Sequence, residues 1–262
     1  MEVLKMKGSG TDQSTCDYRF LYNNDFYTMT CLVYSKNNDY FCIAADTWNT
    51  TKDDNKVIHK IVFNKNNKII VGCVGQNSTE YKHLEDKLKD FLPRMVAVTN
   101  IVQMLCDGYN GYNLKEMVYL LCCYIEKFAS DIQPSFSTNK FNITLLVYAF
   151  DKSLNKSVLF LIKGEKSSGI RIPKDNKSVR IELQPNIPNT DCLGIYENIY
   201  SPFYQSSKLE SANKEQLLNW IRDGVQEQID LDADKFIDLR RVGGTIDWLI
   251  VDNDWNIETN LA

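Results

Sequence analysis

Four times along the chain an apolar run breaks at a short polar turn and then resumes. Residues 28–35 and 40–46 flank the turn from Lys36 to Asp39, and 57–64 and 68–75 flank Lys65-Asn66-Asn67. Residues 141–151 and 156–164 flank Ser153-Leu154-Asn155, and 243–258 doubles back at Asp252 to Asp254. β-Forming runs joined by turns this short pair antiparallel, because a parallel return needs a crossover of roughly a dozen residues or more. The first two hairpins predict four strands of one antiparallel sheet, apolar on both faces in places and so covered on both sides.

Helical patterns fall in blocks between these strands. Leu84, Leu88, Phe91 and Leu92 repeat at helical spacing, with Asn77, Ser78 or Thr79 as the candidate cap. Pro93 interrupts, and the apolar pattern resumes from Met95 to Leu105. Residues 113–132 give the strongest helical signal, with Asn113 as cap and neither Gly nor Pro inside. Two more helices are expected at 209–229 and 232–240, short strands at 168–173 and 178–184, and a loop over 184–194. The order is strands, helices, strands, helices, strands. Strict β-α alternation is missing, which disfavours a doubly wound parallel sheet and predicts an α+β fold with helices on antiparallel sheets.

Composition excludes several functions. The chain has 262 residues, 44% hydrophobic and 24% charged, as expected of a globular domain able to bury a large core. A net charge of −4 argues against a general binder of nucleic acid or anionic membrane. No apolar run approaches the roughly 20 residues needed to cross a bilayer. The first 26 residues are polar and irregular and lack the apolar core of a secretory signal, so a cytoplasmic location is expected. Eight cysteines sit mostly inside apolar runs and read as buried thiols. With only His59 and His83 available, a His-rich zinc site is disfavoured, and neither histidine has a nucleophile motif beside it.

The stretch from Thr30 through Asp46 and Thr47, T-C-L-V at its start and C-I-A-A-D-T at its end, resembles the opening of the proteasome β-subunit family. These are threonine peptidases among the N-terminal nucleophile (Ntn) hydrolases. The family's sixteen-residue separation of threonine and aspartate is matched here by Thr30 and Asp46. His59-Lys60-Ile61 resembles its K-K-I strand opening, and the run ending at Gly75 resembles its small-residue turn into a helix. LLVYAFD resembles a later strand, and VGGTIDWLIV resembles the S-G-G-x-x-D strand near the end. The likeness is good over 28–92 and 113–164, loose over 165–235, and returns at 237–258.

The resemblance implies a four-layer αββα sandwich of two antiparallel sheets flanked by helices, with residues 1–29 as leader or extension and 30–262 as the domain. It implies a threonine endopeptidase that needs no cofactor or metal. The Thr30 hydroxyl would attack, and its freed α-amine, with an ordinary pKa of about 8, would take the proton. Lys60 would favour the ionised hydroxyl, Asp46 would hold Lys60, and the Gly75 N–H would donate to the oxyanion, a role typically contributing about 3 kcal/mol. Asp238 matches a nearby family aspartate with a shifted alignment. Expected partners are peptide or unfolded-protein substrates, copies of the chain in a homo-oligomeric ring and an unfoldase ATPase. No nucleic acid or membrane partner is expected.

Taken singly, these residues have plainer readings: Asp46 as a turn or cap residue, Lys60 as a solvated strand-end lysine, Gly75 as a turn glycine and Thr30 as a β-former. The chain also departs from the family pattern. Met29 precedes Thr30 where cleaved leaders usually end in glycine, and Val242 or Gly243 stands where the family has a serine near the amine. A start at Met29 or autocatalytic cleavage would expose Thr30. Three alternatives stay open: a catalytically silent homologue that keeps its leader, an Ntn amidase for small molecules, and a nucleophile shifted to Cys31.

Overall fold

The computed structural model describes residues 30–48, 58–75, 78–80, 95–131, 141–166, 179–194, 197–206, 209–235 and 242–261. The strands are β1 (Cys31–Lys36), β2 (Tyr40–Asp46), β3 (Ile61–Asn64), β4 (Ile69–Gly75), β5 (Ser78–Glu80), β6 (Met95–Ala97), β7 (Phe141–Asp151), β8 (Lys156–Lys166), β9 (Val179–Gln184), β10 (Thr190–Gly194), β11 (Ile246–Asp252) and β12 (Ile257–Thr259). The helices are α1 (Val98–Gly108), α2 (Leu114–Asp131), α3 (Glu197–Ser206) and α4 (Lys214–Lys235). This is a mixed α+β fold built on two five-stranded antiparallel sheets, ordered β10-β1-β2-β11-β12 and β3-β4-β7-β8-β9.

The two opening hairpins therefore lie in different sheets, not in one. Each is apolar on both faces because each sheet is covered on both. Along β1, Cys31 and Val33 face a core shared with Leu217, Ile221 and Val225 of α4. Leu32 and Tyr34 face a core shared with Ile70, Leu146 and Tyr148 of the second sheet. That sheet's other face sets Ile69, Val71, Leu145 and Val147 against Val102 and Cys106 of α1 and Met117 and Leu121 of α2. Period-two alternation thus assigns each strand residue to one of two adjoining cores. Gly72 lets the sheets approach closely, since a Cβ there would lie 2.6 Å from Leu32 Cδ1 and 2.7 Å from Ile43 Cδ1.

Local chemistry accounts for several boundaries. Asn37 Oδ1 accepts the N–H groups of Asp39 and Tyr40, which sets the first turn, while its amide donates to Leu209 O and Ala212 O ahead of α4. Asn213 and Gln216 form a reciprocal cap at the start of α4, each side-chain oxygen accepting the other residue's N–H. Asn113 precedes α2 as expected, and its side-chain oxygen accepts the Asn110 N–H in the turn before the helix.

Further expectations need correction. Ser78 and Thr79, read as helix caps, lie in β5, which pairs with β6; residues 81–94 lie outside the described residues. Residues 190–194, read as loop, form β10, because β1 offers an open edge to a segment with little apolar content of its own. α3 was not expected, having Pro202 inside it, yet Tyr200 and Tyr204 pack it against the α4 side of the first sheet. The expected break after residue 229 is absent, because Gln228, Ile229 and Asp232 are all buried and α4 runs on through them. The expected strand at 168–173 lies outside the described residues. No helix among the described residues is long and apolar enough to cross a membrane.

Candidate active site

β2 ends on Asp46, a carboxylate with no exposed surface. Such a burial is tolerable only if the charge is paired and its lone pairs are filled. Both conditions are met. Asp46 Oδ1 lies 2.7 Å from Lys60 Nζ and accepts the Cys31 N–H at 2.8 Å. Asp46 Oδ2 accepts the N–H groups of Gly243 at 3.2 Å and Trp48 at 3.3 Å. Burial pushes the Asp46 carboxyl up from its ordinary value, against the pull of the Lys60 charge and the donated hydrogen bonds.

Lys60 belongs to the other sheet. It stands just before β3, and its carbonyl accepts the Cys73 N–H of β4 at 2.8 Å, so its backbone is held while its side chain crosses to β2. It is 2% exposed, and the pair is a buried bridge between sheets, unlike a solvated strand-end lysine. Three consecutive residues make such crossings. Ile58 N–H donates to Thr47 O at 3.1 Å, His59 Nδ1 lies 2.8 Å from Asp247 Oδ2, and Lys60 reaches Asp46.

Thr30 directly precedes the Cys31 N–H that Asp46 accepts, and it is 2% exposed. Its carbonyl packs against Gly194, where a Cβ would lie 1.8 Å from Thr30 O. With φ of +114° as well, only glycine suits that position. Gly75 closes β4 two residues beyond Cys73, with φ of +96° and its register partner Ile143 in β7. Asp238 lies outside the described residues.

Cys31 presents its thiol to the α4 side, 3.8 Å from Val225 O. Burial, followed by the nearby Asp46 charge, pushes that thiol well up, which keeps it protonated and unsuited to act as a nucleophile.

Other residues of the site escaped the sequence reading. The buried Asp232 accepts the Val242 N–H at 3.1 Å, so consecutive N–H groups of Val242 and Gly243 are held by two carboxylates, Asp232 and Asp46. Thr47 Oγ1 accepts the Thr245 N–H at 2.9 Å, and Gly244, at φ of +76°, leaves room for that hydroxyl. Asp247 is the aspartate of the stretch that resembles S-G-G-x-x-D, whereas nothing local marked Asp232. Among the described residues, no three His, Cys, Asp or Glu side chains gather as metal ligands would.

No protein-family model matches this chain, and no curated protein sequence matches it.

The arrangement can do one thing chemically. It holds an ammonium dry and oriented against a carboxylate at the start of β1, where a neighbouring hydroxyl would feel its positive field strongly.

Proposed function

We propose that this chain is a proteasome-type threonine peptidase subunit, with Thr30 as nucleophile once residues 1–29 are removed. The observation that carries the reading is the buried Lys60–Asp46 pair at 2.7 Å, with the same carboxylate oxygen bound to the backbone N–H next to Thr30. Three apolar cores, one between the sheets and one between each sheet and its helices, fit the four-layer αββα sandwich of an Ntn hydrolase.

In this reading the freed α-amine of Thr30 accepts the proton of its own hydroxyl as the oxygen bonds to the scissile carbonyl carbon. Lys60 stabilises the developing negative charge, and the Gly75 N–H donates to the oxyanion. The C–N bond then breaks, and the α-ammonium returns its proton to the leaving amine. Water, activated by the same amine, hydrolyses the acyl ester and restores Thr30. Cleavage of the bond before Thr30 creates the base, the freed α-amine. The substrates are peptides or unfolded chains, handled in a homo-oligomeric ring fed by an unfoldase ATPase.

One observation favours a second reading, a catalytically silent homologue that keeps its leader. Val242 or Gly243, both buried, stands where the resemblance puts the family serine that helps hold the amine. Intact-mass measurement with a threonine-directed electrophile separates the two. The peptidase yields a species beginning at Thr30 that takes one label, and Thr30→Ala lowers peptide cleavage at least about a thousandfold. A stable Met1 species that takes no label rejects the peptidase.

A further inference from the structure

The Asp46 carboxylate is aimed by what fills its second oxygen. Oδ1 faces Lys60 and the Cys31 N–H, while Oδ2 accepts the N–H groups of Gly243 and Trp48. Trp48 is two residues along the same strand end, whereas Gly243 is 197 residues away in sequence. The orientation of the carboxylate towards Lys60 therefore depends on where residues 242–245 are placed.

Two anchors place them. On one side is Thr47, whose N–H lies 3.2 Å from Gly243 O and 3.1 Å from Thr245 O, and whose hydroxyl accepts the Thr245 N–H at 2.9 Å. On the other side is Asp232 of α4, a carboxylate with no exposed surface. It accepts the Val242 N–H at 3.1 Å across ten residues of sequence. The Val242 side chain shares a core with Ile221, Val225 and Ile229 of the same helix. Burying a carboxylate is costly, and one backbone bond offsets only part of the cost. Asp232 also lies within electrostatic reach of the start of β1. Burial and then Asp46 push the Cys31 thiol up most, and Asp232 adds to them.

We propose that Asp232 is a positioning residue of the site: it fixes Val242 so that the next N–H, that of Gly243, turns the Asp46 carboxylate onto Lys60. Only the two backbone dihedrals of Val242 separate those N–H groups, and its buried side chain leaves them little freedom. Asp232 acts through this short link and Asp46, and its part in catalysis rests on the peptidase reading.

The test uses the full chain with isotope-labelled glycine, so that NMR reads the Gly243 amide directly. Asp232→Leu removes the acceptor, and the Gly243 amide proton should move upfield and exchange with solvent at least about tenfold faster. Asp232→Asn keeps an oxygen for the Val242 N–H and should restore the wild-type signal. Leu217→Ala opens a cavity under the same helix and should leave the Gly243 amide in place. The proposal is overturned by an unmoved amide in Asp232→Leu, by an Asp232→Asn change as large as that of Asp232→Leu, or by an equal change in Leu217→Ala. Should Asp232→Leu fail to fold, Asp232→Ala takes its place with the same expected outcomes.

Activity tests the catalytic half. In a chain that labels at Thr30, Asp232→Leu should lower kcat about a hundredfold with KM nearly unchanged, the scale expected when a remote support shifts a reacting group by about 1 Å. Asp232→Asn should recover at least about tenfold of that loss. An unchanged kcat in Asp232→Leu overturns the role in catalysis. A chain that never labels, yet whose Gly243 amide responds to Asp232→Leu, keeps the link from Asp232 to Asp46 and rejects the peptidase reading.

Discussion

The layer between the two sheets has two ends of opposite character. At the start of β2, Phe41 stacks on Tyr148 with ring centroids 4.2 Å apart, and Tyr148 stacks on Trp255 at 5.4 Å. At the far end of the same strand, roughly 17 Å away at ordinary strand rise, stand Asp46 and its partner Lys60, with His59 and Asp247 beside them. The aromatic end stabilises by removing apolar surface from water. The charged end gains little that way, because desolvating two ions offsets most of their attraction, and a well-packed apolar pair would serve stability as well or better. One strand thus carries a region suited to stability and a region suited to chemistry.

Breaking one partner of the charged end should have the largest effect. Lys60→Met leaves Asp46 buried without its cation and should cost about 3–5 kcal/mol. Phe41→Leu at the aromatic end should cost under about 1.5 kcal/mol, because its neighbours can repack. Urea unfolding of the two variants checks the contrast, and equal costs would erase it. Between the two ends, Gly72→Val places methyl groups against Leu32 and Ile43 and should cost about 1–3 kcal/mol by overpacking, read the same way.

The smallest effect sharpens the comparison through pH. Asp252 pairs in register with Tyr40 at the aromatic end. Slight burial pushes its carboxyl up, but hydrogen bonds from the Asn256 amide, the Asn256 N–H and the Asp254 N–H outweigh this and hold it below its ordinary value of 3.8. A depressed folded pKa means that the stabilisation is present above the unfolded value and is lost as pH falls through the folded one. Asn256→Ala should remove the share that comes from the amide, while the backbone N–H bonds stay, so its stability deficit, read as the urea midpoint across the acid range, should shrink at low pH. Asp46 has the opposite sign. Its raised carboxyl holds a proton more tightly in the folded state, so stability declines as pH rises from 3.8 through the folded value.

Much of the fold was legible because alternation and turn chemistry are local. All four hairpins form, β9 lies within the expected 178–184, and α2 begins after Asn113 as read. Asp46 and Lys60 were singled out by the resemblance, each having a plainer reading alone, and the structure brings them within 2.7 Å. Where the reading failed, long-range partners decided. β10 exists because β1 has an edge to fill, and β5 because β6 pairs with it. Asp232, one of several acidic residues near the end of α4, is distinguished only by its burial and its bond to Val242.

By itself the sequence determined which side chains of each strand share a face, where the chain turns back, and that antiparallel pairing dominates. Those properties follow from a two-residue period and a few turn residues, and need no knowledge of what lies opposite. Only the tertiary structure decided that the first two hairpins part into separate sheets and that Lys60 therefore crosses to Asp46 with His59 crossing to Asp247 beside it. The reason is physical: whether a charge is solvated or buried against a counter-charge depends on the surface that faces it, and that surface comes from elsewhere in the chain.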